Sequence, residues 1–319
     1  MKQLFSVTGP ISPIDAGFFQ PHEHLALREG ASFRCNPALR MDDPEKGAEE
    51  AIRYLAAGGR TLIDAQPVGC GRKVSDLLFI SQKTGLQILG STGFHKLCFY
   101  EQEHWLKSES EDRLASLFLE ELQDGMYEDG DTAFPCCRTE ARAGVVKTAL
   151  DSCGLTPLYE RLFRAAAHAA KAADSAMLIH VERGSDPLAL LSMLLGLGLS
   201  SDRLVFCHTD RACTGPEIPL RLLEAGAYLE MDTIARPQYH GDREELGLLL
   251  TLLEAGFEDQ LMLSLDTTSA RMKSYTPDAI GLDYLLRVFH PMLRSHGVSD
   301  AVLKKLNGTN CAAAFASGR

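Results

Sequence analysis

Two histidines stand one residue apart in "GFFQPHEHLAL", residues 17–27, where His22 and His24 flank Glu23 in an apolar frame. In an extended segment, side chains at i and i+2 share one face, so both imidazoles can converge on one point, and a shared metal ion is the chemistry that asks for this. An isolated HxH pair is more often a plain surface feature. Further placements change the weighing: Lys147 in "GVVKTAL", His180 in "AMLIHVE", His208 in "RLVFCHTD" and Asp266 in "QLMLSLDTT" each lie within or at the end of an apolar run of strand length. Singly they read as a satisfied histidine, a snorkelling lysine or a helix-capping aspartate. Together they put four of the ten histidines, one lysine and one aspartate at matching ends of five runs. Chance placement does not readily produce that.

The elements that must hold these residues alternate along the whole chain. Eight runs, "GFFQPHEHL", "TLIDAQP", "LQILGSTGF", "GVVKTAL", "AMLIHVE", "RLVFCHTD", "AYLEMDT" and "QLMLSLDTT", have strand length, and most are rich enough in Leu, Ile and Val for a strand buried on both faces. Between them lie helical patterns such as "DPEKGAEEAIRYLAAG", "PLYERLFRAAAHAAKAAD", "PLRLLEAG", "REELGLLLTLLEAG" and "GLDYLLRVFHPML", several ending in a glycine suited to a C-cap. Eight strands each followed by a helix predict an α/β fold, a (β/α)8 TIM barrel, as one domain over residues 1–319. The typical barrel of about 250 residues leaves material for long loops. The largest surplus is residues 97–143, with the single Trp105 and an amphipathic stretch near 111–125, read as a lid or pocket wall or equally as a helix on the outer ring. In such a barrel the carboxyl ends of the strands form the active face, where the candidate residues fall.

Lys147 specifies the kind of site. An ammonium in a buried strand is costly, and beside cations it would be repelled, so an unmodified lysine makes no sense as a ligand. Reaction with carbon dioxide, giving a lysine carbamate, resolves both problems and creates a bidentate anion able to bridge divalent ions. As an ordered set, "HEHL", "VVKTA", "LIHVE", "FCHTDR" and "SLD" resemble the phosphotriesterase-related branch of the amidohydrolase superfamily, from about "VTGPI" at residue 7 to "NCAAAF" near the C-terminus. That resemblance implies an amidohydrolase-type barrel with a binuclear centre. His22, His24 and Asp266 would hold the more buried ion, His180 and His208 the more exposed one, with carboxylated Lys147 and a hydroxide bridging both and Asp266 also serving as proton shuttle. Zinc is the commonest metal in similar enzymes, and manganese, cobalt or nickel suit the same N/O donors.

The sequence departs from the family pattern in three places, one of them Gln238-Tyr239 after the seventh strand, where relatives acting on phosphorylated sugar lactones tend to carry Lys-Tyr. Asn310-Cys311 followed by Phe315 stands where relatives often have Asn-Pro before a Phe, a matter of packing, and "TGFHK" brings His95 and Lys96 where many carry an aromatic residue. The loops after the strands carry Arg28, Arg72, Lys96, Arg183, Arg211, Arg236, His240, Arg271 and Lys273, which would form a basic mouth attractive to anions. Glu29, Glu182, Asp210 and Asp232 lie beside several of them and could simply pair with them. The loop "TTSARMKSY" is the least compensated. Arg271, Lys273 and Tyr275 there, with Tyr239 after the seventh strand and His95 after the third, are therefore the expected substrate contacts.

Composition limits the alternatives. Hydrophobic content of 45% and charged content of 24% match a soluble globular protein. The net charge of −11 argues against nucleic acid or an anionic membrane as partner. Nine cysteines without a paired framework read as reduced thiols, and no signal-peptide pattern opens the chain, so a cytoplasmic location is expected. A homodimer is the default expectation for assembly. The expected activity is metal-dependent hydrolysis of a small-molecule substrate, foremost a lactone that is sugar-derived or anionic. A phosphotriester or other carboxylic ester is the alternative at the same centre, and a non-catalytic metal-dependent binding protein the alternative of another class.

Overall fold

The computed structural model describes residues 2–318. Leu4–Ser6 (β1) and Gly9–Ile11 (β2) pair as a small antiparallel hairpin. Eight parallel strands follow: Phe18–Glu23 (β3), Gly59–Asp64 (β4), Gln87–Gly93 (β5), Ala143–Leu150 (β6), Met177–Val181 (β7), Leu204–Cys207 (β8), Tyr228–Met231 (β9) and Leu261–Leu263 (β10). Each pairs with its neighbours in sequence, and all eight lie within the apolar runs or one residue or two outside them. With helices between the strands, this is the (β/α)8 barrel that the alternation predicts.

The helices begin and end where local chemistry requires. Asp43 accepts hydrogen bonds from the Glu45 and Lys46 amides (3.1 and 3.3 Å), Pro44 occupies the first turn, and Gly58 at φ 110° ends Pro44–Ala57 directly before β4. Thr156 and Pro157 start Pro157–Ala172 in the same way. Within residues 97–143, the helix Glu111–Gln123 packs on Pro157–Ala172 in the outer ring, and its buried Glu121 takes the fork of Arg72 (2.5 and 3.0 Å). The outer-ring reading therefore holds for the helix, whereas the turn Leu97–Phe99 reaches the barrel mouth. Among the described residues no helix is long and apolar enough to cross a membrane.

The barrel interior is filled from its amino-terminal end. Phe19, Ile63, Leu89, Val145, Leu178, Val205 and Met262 project inward, one from each strand but β9, and Leu4 of β1 with Phe315 of the helix Asn310–Phe315 plug the layer below them. Cys311 packs in that same layer, so the departure at this position is a matter of packing. The interior thus has an apolar floor, and polar groups concentrate at the opposite end.

β3 and β10 close the barrel through side chains, with no ladder between them. Asn307 Nδ2 donates to the carbonyls of Phe19 (2.9 Å) and Leu263 (2.7 Å). Higher up, the Glu23 carboxylate is buried in the seam. It accepts from the Leu265 amide (3.0 Å), the Thr267 amide (2.9 Å), the Thr267 hydroxyl and the Ser264 hydroxyl (2.8 Å). The Asp266 amide then donates to the His22 carbonyl at 3.0 Å. Replacing Glu23 with Ala leaves two buried amides without acceptors, at a cost of about 2–4 kcal/mol. Urea unfolding of Glu23→Ala should show a lowered midpoint with an unchanged slope; an unchanged midpoint would mean that Asn307 alone carries the seam.

Candidate metal centre

The six strand-end residues converge. Lys147 on β6 is fully buried, and its Nζ lies 3.1 Å from His22 Nε2. Asp266 Oδ1 lies 3.4 Å from His24 Nε2 and 3.8 Å from His22 Nε2, and donor atoms of these three residues fall within 4.8 Å of one another. The His208 ring centroid is 4.9 Å from that of His22 and 4.3 Å from that of His180. Backbone geometry contributes to this placement. His208 (φ 64°) and Asp266 (φ 50°) adopt left-handed conformations just past their strands, which few residues other than glycine occupy without strain. Gly93 (φ 98°) admits β5 to the Lys147 carbonyl, where a Cβ would stand only 2.0 Å from the oxygen.

Acids behind two of the histidines orient them. His22 Nδ1 faces Glu230 Oε2 (3.2 Å) and Asp232 Oδ2 (3.5 Å), and His208 Nδ1 contacts Asp232 Oδ1 (2.6 Å). With Nδ1–H given to a carboxylate, each Nε2 presents its lone pair toward the other ligands, as in metal-bound histidines. Burial and Lys147 push the His22 ring down, yet Glu230 and Asp232 outweigh them and raise it to about 9. Without an ion that ring carries a proton on each nitrogen, and a divalent cation facing the same two acids would take the place of the Nε2 proton. Burial, aided by Lys147, Lys96 and Arg211 and opposed by Glu182, lowers His180 to about 4. Burial likewise holds His208 well below the usual range. For Asp266, burial would raise the carboxyl, but Arg236, His24, His22 and Arg211 hold it well below the usual carboxylate range.

The donor set fits divalent ions. Its atoms are imidazole nitrogens and carboxylate oxygens, and the hydrogen bond to His22 is the only one that Lys147 Nζ makes among the described residues. A fully buried ammonium with an imidazole as its sole partner is a poor structural element, whereas its carbamate would add an anion to the ligand set.

Above these residues lies a cavity of about 130 Å³, lined by the histidines and Asp266 together with Asn36, Gln66, His95, Lys96, Phe99, Glu182, Arg211, Arg236 and Tyr239. Arg236 Nη2 (3.0 Å) and Arg211 Nη2 (3.2 Å) both hold Asp266 Oδ2, leaving Oδ1 to face His22 and His24. Lys96 pairs with Glu182 at 2.6 Å, and Glu182 Oε2 lies 3.3 Å from His180 Nε2. His95 Nδ1 accepts the Lys96 amide at 2.7 Å, so a neutral ring carries its proton on Nε2. Burial keeps it neutral, with His180 and Lys147 acting in the same direction. Tyr239 is exposed at the rim, its ring centroid 5.0 Å from the Arg211 guanidinium carbon.

Of the expected substrate contacts, His95 and Tyr239 line the cavity, and Arg271, Lys273 and Tyr275 do not. Arg271 is turned inward and donates to the carbonyls of Leu265 (2.6 Å) and Ile234 (2.7 Å). Lys273 pairs with Asp283 (2.9 Å), and the Tyr275 hydroxyl donates to the Asp43 carbonyl (3.0 Å). The loop after β10 folds back onto the body of the barrel, where carbonyls and an acid, some near in sequence and some distant, take up these three side chains. Arg28 and Arg72 are likewise paired, with Glu128 and Glu121. The basic groups that do reach the cavity are Lys96, Arg211 and Arg236. Asp232, expected only as a partner for loop cations, does meet Arg211 at 3.2 Å but also stands behind His22 and His208, and Glu230 lies outside the expected set, although two acids at i and i+2 in the apolar run "AYLEMDT" signal a polar stripe aimed into the barrel.

Comparison with known proteins agrees with this geometry. The phosphotriesterase homology protein of Escherichia coli is 29% identical over 286 residues, 89% of this chain and 93% of that protein. A phospho-furanose lactonase of Mycoplasmopsis agalactiae is 26% identical over 310 residues, 95% and 88% of the two chains. The crystal structure of a lactonase from Listeria monocytogenes superposes with a TM-score of 0.88 at 27% identity, covering 98% of each chain. The sequence profile of the Phosphotriesterase family matches residues 2–315, and with its barrel and buried histidine–aspartate centre the chain belongs to that family, within the amidohydrolase superfamily.

Proposed function

We propose that this hydrolase opens a small lactone, sugar-derived or carrying an anionic group, at a binuclear centre held by His22, His24, Lys147 as its carbamate, His180, His208 and Asp266. The observation that carries the reading is the convergence of these six residues, five of them lining one small cavity and Lys147 set against His22, with acids orienting His22 and His208 from behind. Two of the similar proteins named above bear the name lactonase. Zinc is the first candidate metal, and manganese, cobalt and nickel suit the same donors. When bound, the ions supply Lewis acidity and make a water acidic enough to serve as nucleophile near neutral pH.

The residues of the chain do the rest. Asp266 presents Oδ1 to the reacting centre while Arg211 and Arg236 hold Oδ2, so the carboxylate is fixed in direction. It accepts the proton of the attacking water and passes it to the departing oxygen. His95 directs Nε2–H toward the cavity and can donate to a substrate oxygen. Lys96, on the cavity wall and balanced by Glu182, is placed to meet a phosphate or carboxylate on the substrate. The narrow cavity favours a small ring.

Lys147→Ala should lose bound metal and turnover together, both read on one preparation by elemental analysis and by hydrolysis of a lactone panel, with partial recovery on adding a short carboxylic acid. Full metal loading with normal turnover in that variant would remove the carbamate from the mechanism. Asp266→Asn should lower turnover by roughly 10²–10⁴-fold on substrates with poor leaving groups, as for other general acid–base groups. For charge recognition, kcat/KM of matched anionic and neutral lactones should be compared in wild type and Lys96→Met. A charged hydrogen bond of about 1.5–3 kcal/mol predicts a loss of about 10–100-fold confined to the anionic substrate, and equal losses on both would refute anion recognition by Lys96.

A further inference from the structure

Two loops meet at the rim of the cavity, and each carries a cysteine that the chemistry above does not use. The loop after β3 contains the short helix Ala31–Cys35 and contributes Asn36 and Leu39 to the cavity wall. The loop after β5 contains the turn Leu97–Phe99 and contributes Lys96 and Phe99. Cys35 directly precedes Asn36, and Cys98 directly precedes Phe99. Both thiols are exposed to solvent.

These cysteines are 63 residues apart in sequence but touch in space. Cys35 Sγ lies 2.9 Å from the Cys98 carbonyl oxygen. An ion pair between Arg34 and Glu101 spans the same gap, so both loops are held facing one another on either side of the cysteines. A disulfide requires close Cα atoms and sulfurs that meet after side-chain rotation. A sulfur already resting on its partner's main chain leaves mainly the Cys98 side chain to turn. Cys136 and Cys137 also lie close, Sγ to Sγ at 3.9 Å, but as neighbours in sequence they would tie no separate elements together.

We propose that Cys35 and Cys98 form a reversible disulfide under oxidising conditions, fastening the loop after β3 to the loop after β5 across the cavity mouth. Hydrogen peroxide is a sufficient oxidant. The Cys35 thiolate attacks a peroxide oxygen, the O–O bond breaks, and Cys35 becomes a sulfenic acid while hydroxide leaves with the thiol proton as water. The Cys98 sulfur then attacks the sulfenic sulfur, the S–O bond breaks, and the Cys98 proton departs with that oxygen as a second water. The thiols are oxidised, the peroxide is reduced, and a dithiol reverses the bond by exchange. The same balance holds with the two thiols exchanged; burial raises the Cys98 thiol to about 11, with Lys96 opposing and Cys35 adding to it, which slows its own attack on peroxide. In a reducing compartment the pair rests as thiols. Closure would hold Asn36 and Leu39 against Lys96 and Phe99, and through the Lys96–Glu182 pair would stiffen the approach to His180.

The test reads no turnover and is independent of the activity proposed above. The full-length protein is treated with a small molar excess of hydrogen peroxide, digested without reductant and mapped by mass spectrometry, with amide hydrogen exchange measured in parallel. The expected result is a peptide pair joining Cys35 to Cys98, reversed by dithiothreitol. Exchange should slow several-fold in residues 31–39 and 95–101 together. Cys35→Ser and Cys98→Ser should each abolish the link and the added protection. Cys35 recovered as sulfinic acid with Cys98 unlinked, or a link that leaves exchange in both loops unchanged, would overturn the proposal.

Discussion

The buried carboxylate of Glu23 is the constraint on which the site depends. It stands between His22 and His24 on a strand, where alternation sends it to the opposite face. While the histidines point into the cavity, Glu23 enters the seam between β3 and β10 and takes the amides of Leu265 and Thr267. Those residues flank Asp266, whose own amide bonds to the His22 carbonyl. Above Asn307, one side chain therefore ties the upper seam and sets the distance between the HxH pair and the aspartate. The left-handed backbone at Asp266 persists because these neighbouring bonds over-determine it.

Around this point the charges are arranged in tiers. Glu230 and Asp232 lie beneath His22 and His208, Lys147 stands beside His22, and Arg211 and Arg236 cover Asp266 from above. Arg211 joins the tiers, since it also contacts Asp232 at 3.2 Å. Such a network in a low-dielectric interior adds little to net stability, because desolvation offsets attraction. Its value is preorganisation: ring directions and carboxylate faces are set before any ligand arrives.

The same physics explains why a basic mouth inferred from loop sequences shrinks in the folded protein. A guanidinium or ammonium at the edge of a barrel seeks carbonyls and carboxylates, and the folded loops supply them both from nearby and from segments remote in sequence. Arg271 caps the carbonyls of two loops, Arg72 is claimed by a helix of the outer ring, and Lys273 by Asp283. The cations left on the cavity wall are those whose partners also belong to the site.

Local pattern alone determined the barrel and the six converging residues. Period-two alternation, β-branched runs and capping residues act within a few positions, and the strand order of a (β/α)8 barrel follows the chain, so residues at strand ends must share one face. The same rules placed the C-cap at Gly58. Only the tertiary structure decided the partners. That Glu23 would close the seam, that Glu230 and Asp232 would stand behind two histidines, that Arg211 and Arg236 rather than Arg271 would reach the cavity, and that Cys35 would meet Cys98 all depend on contacts between segments tens to hundreds of residues apart. A hydrogen bond across such a separation is set by how the loops pack, and no local periodicity records it.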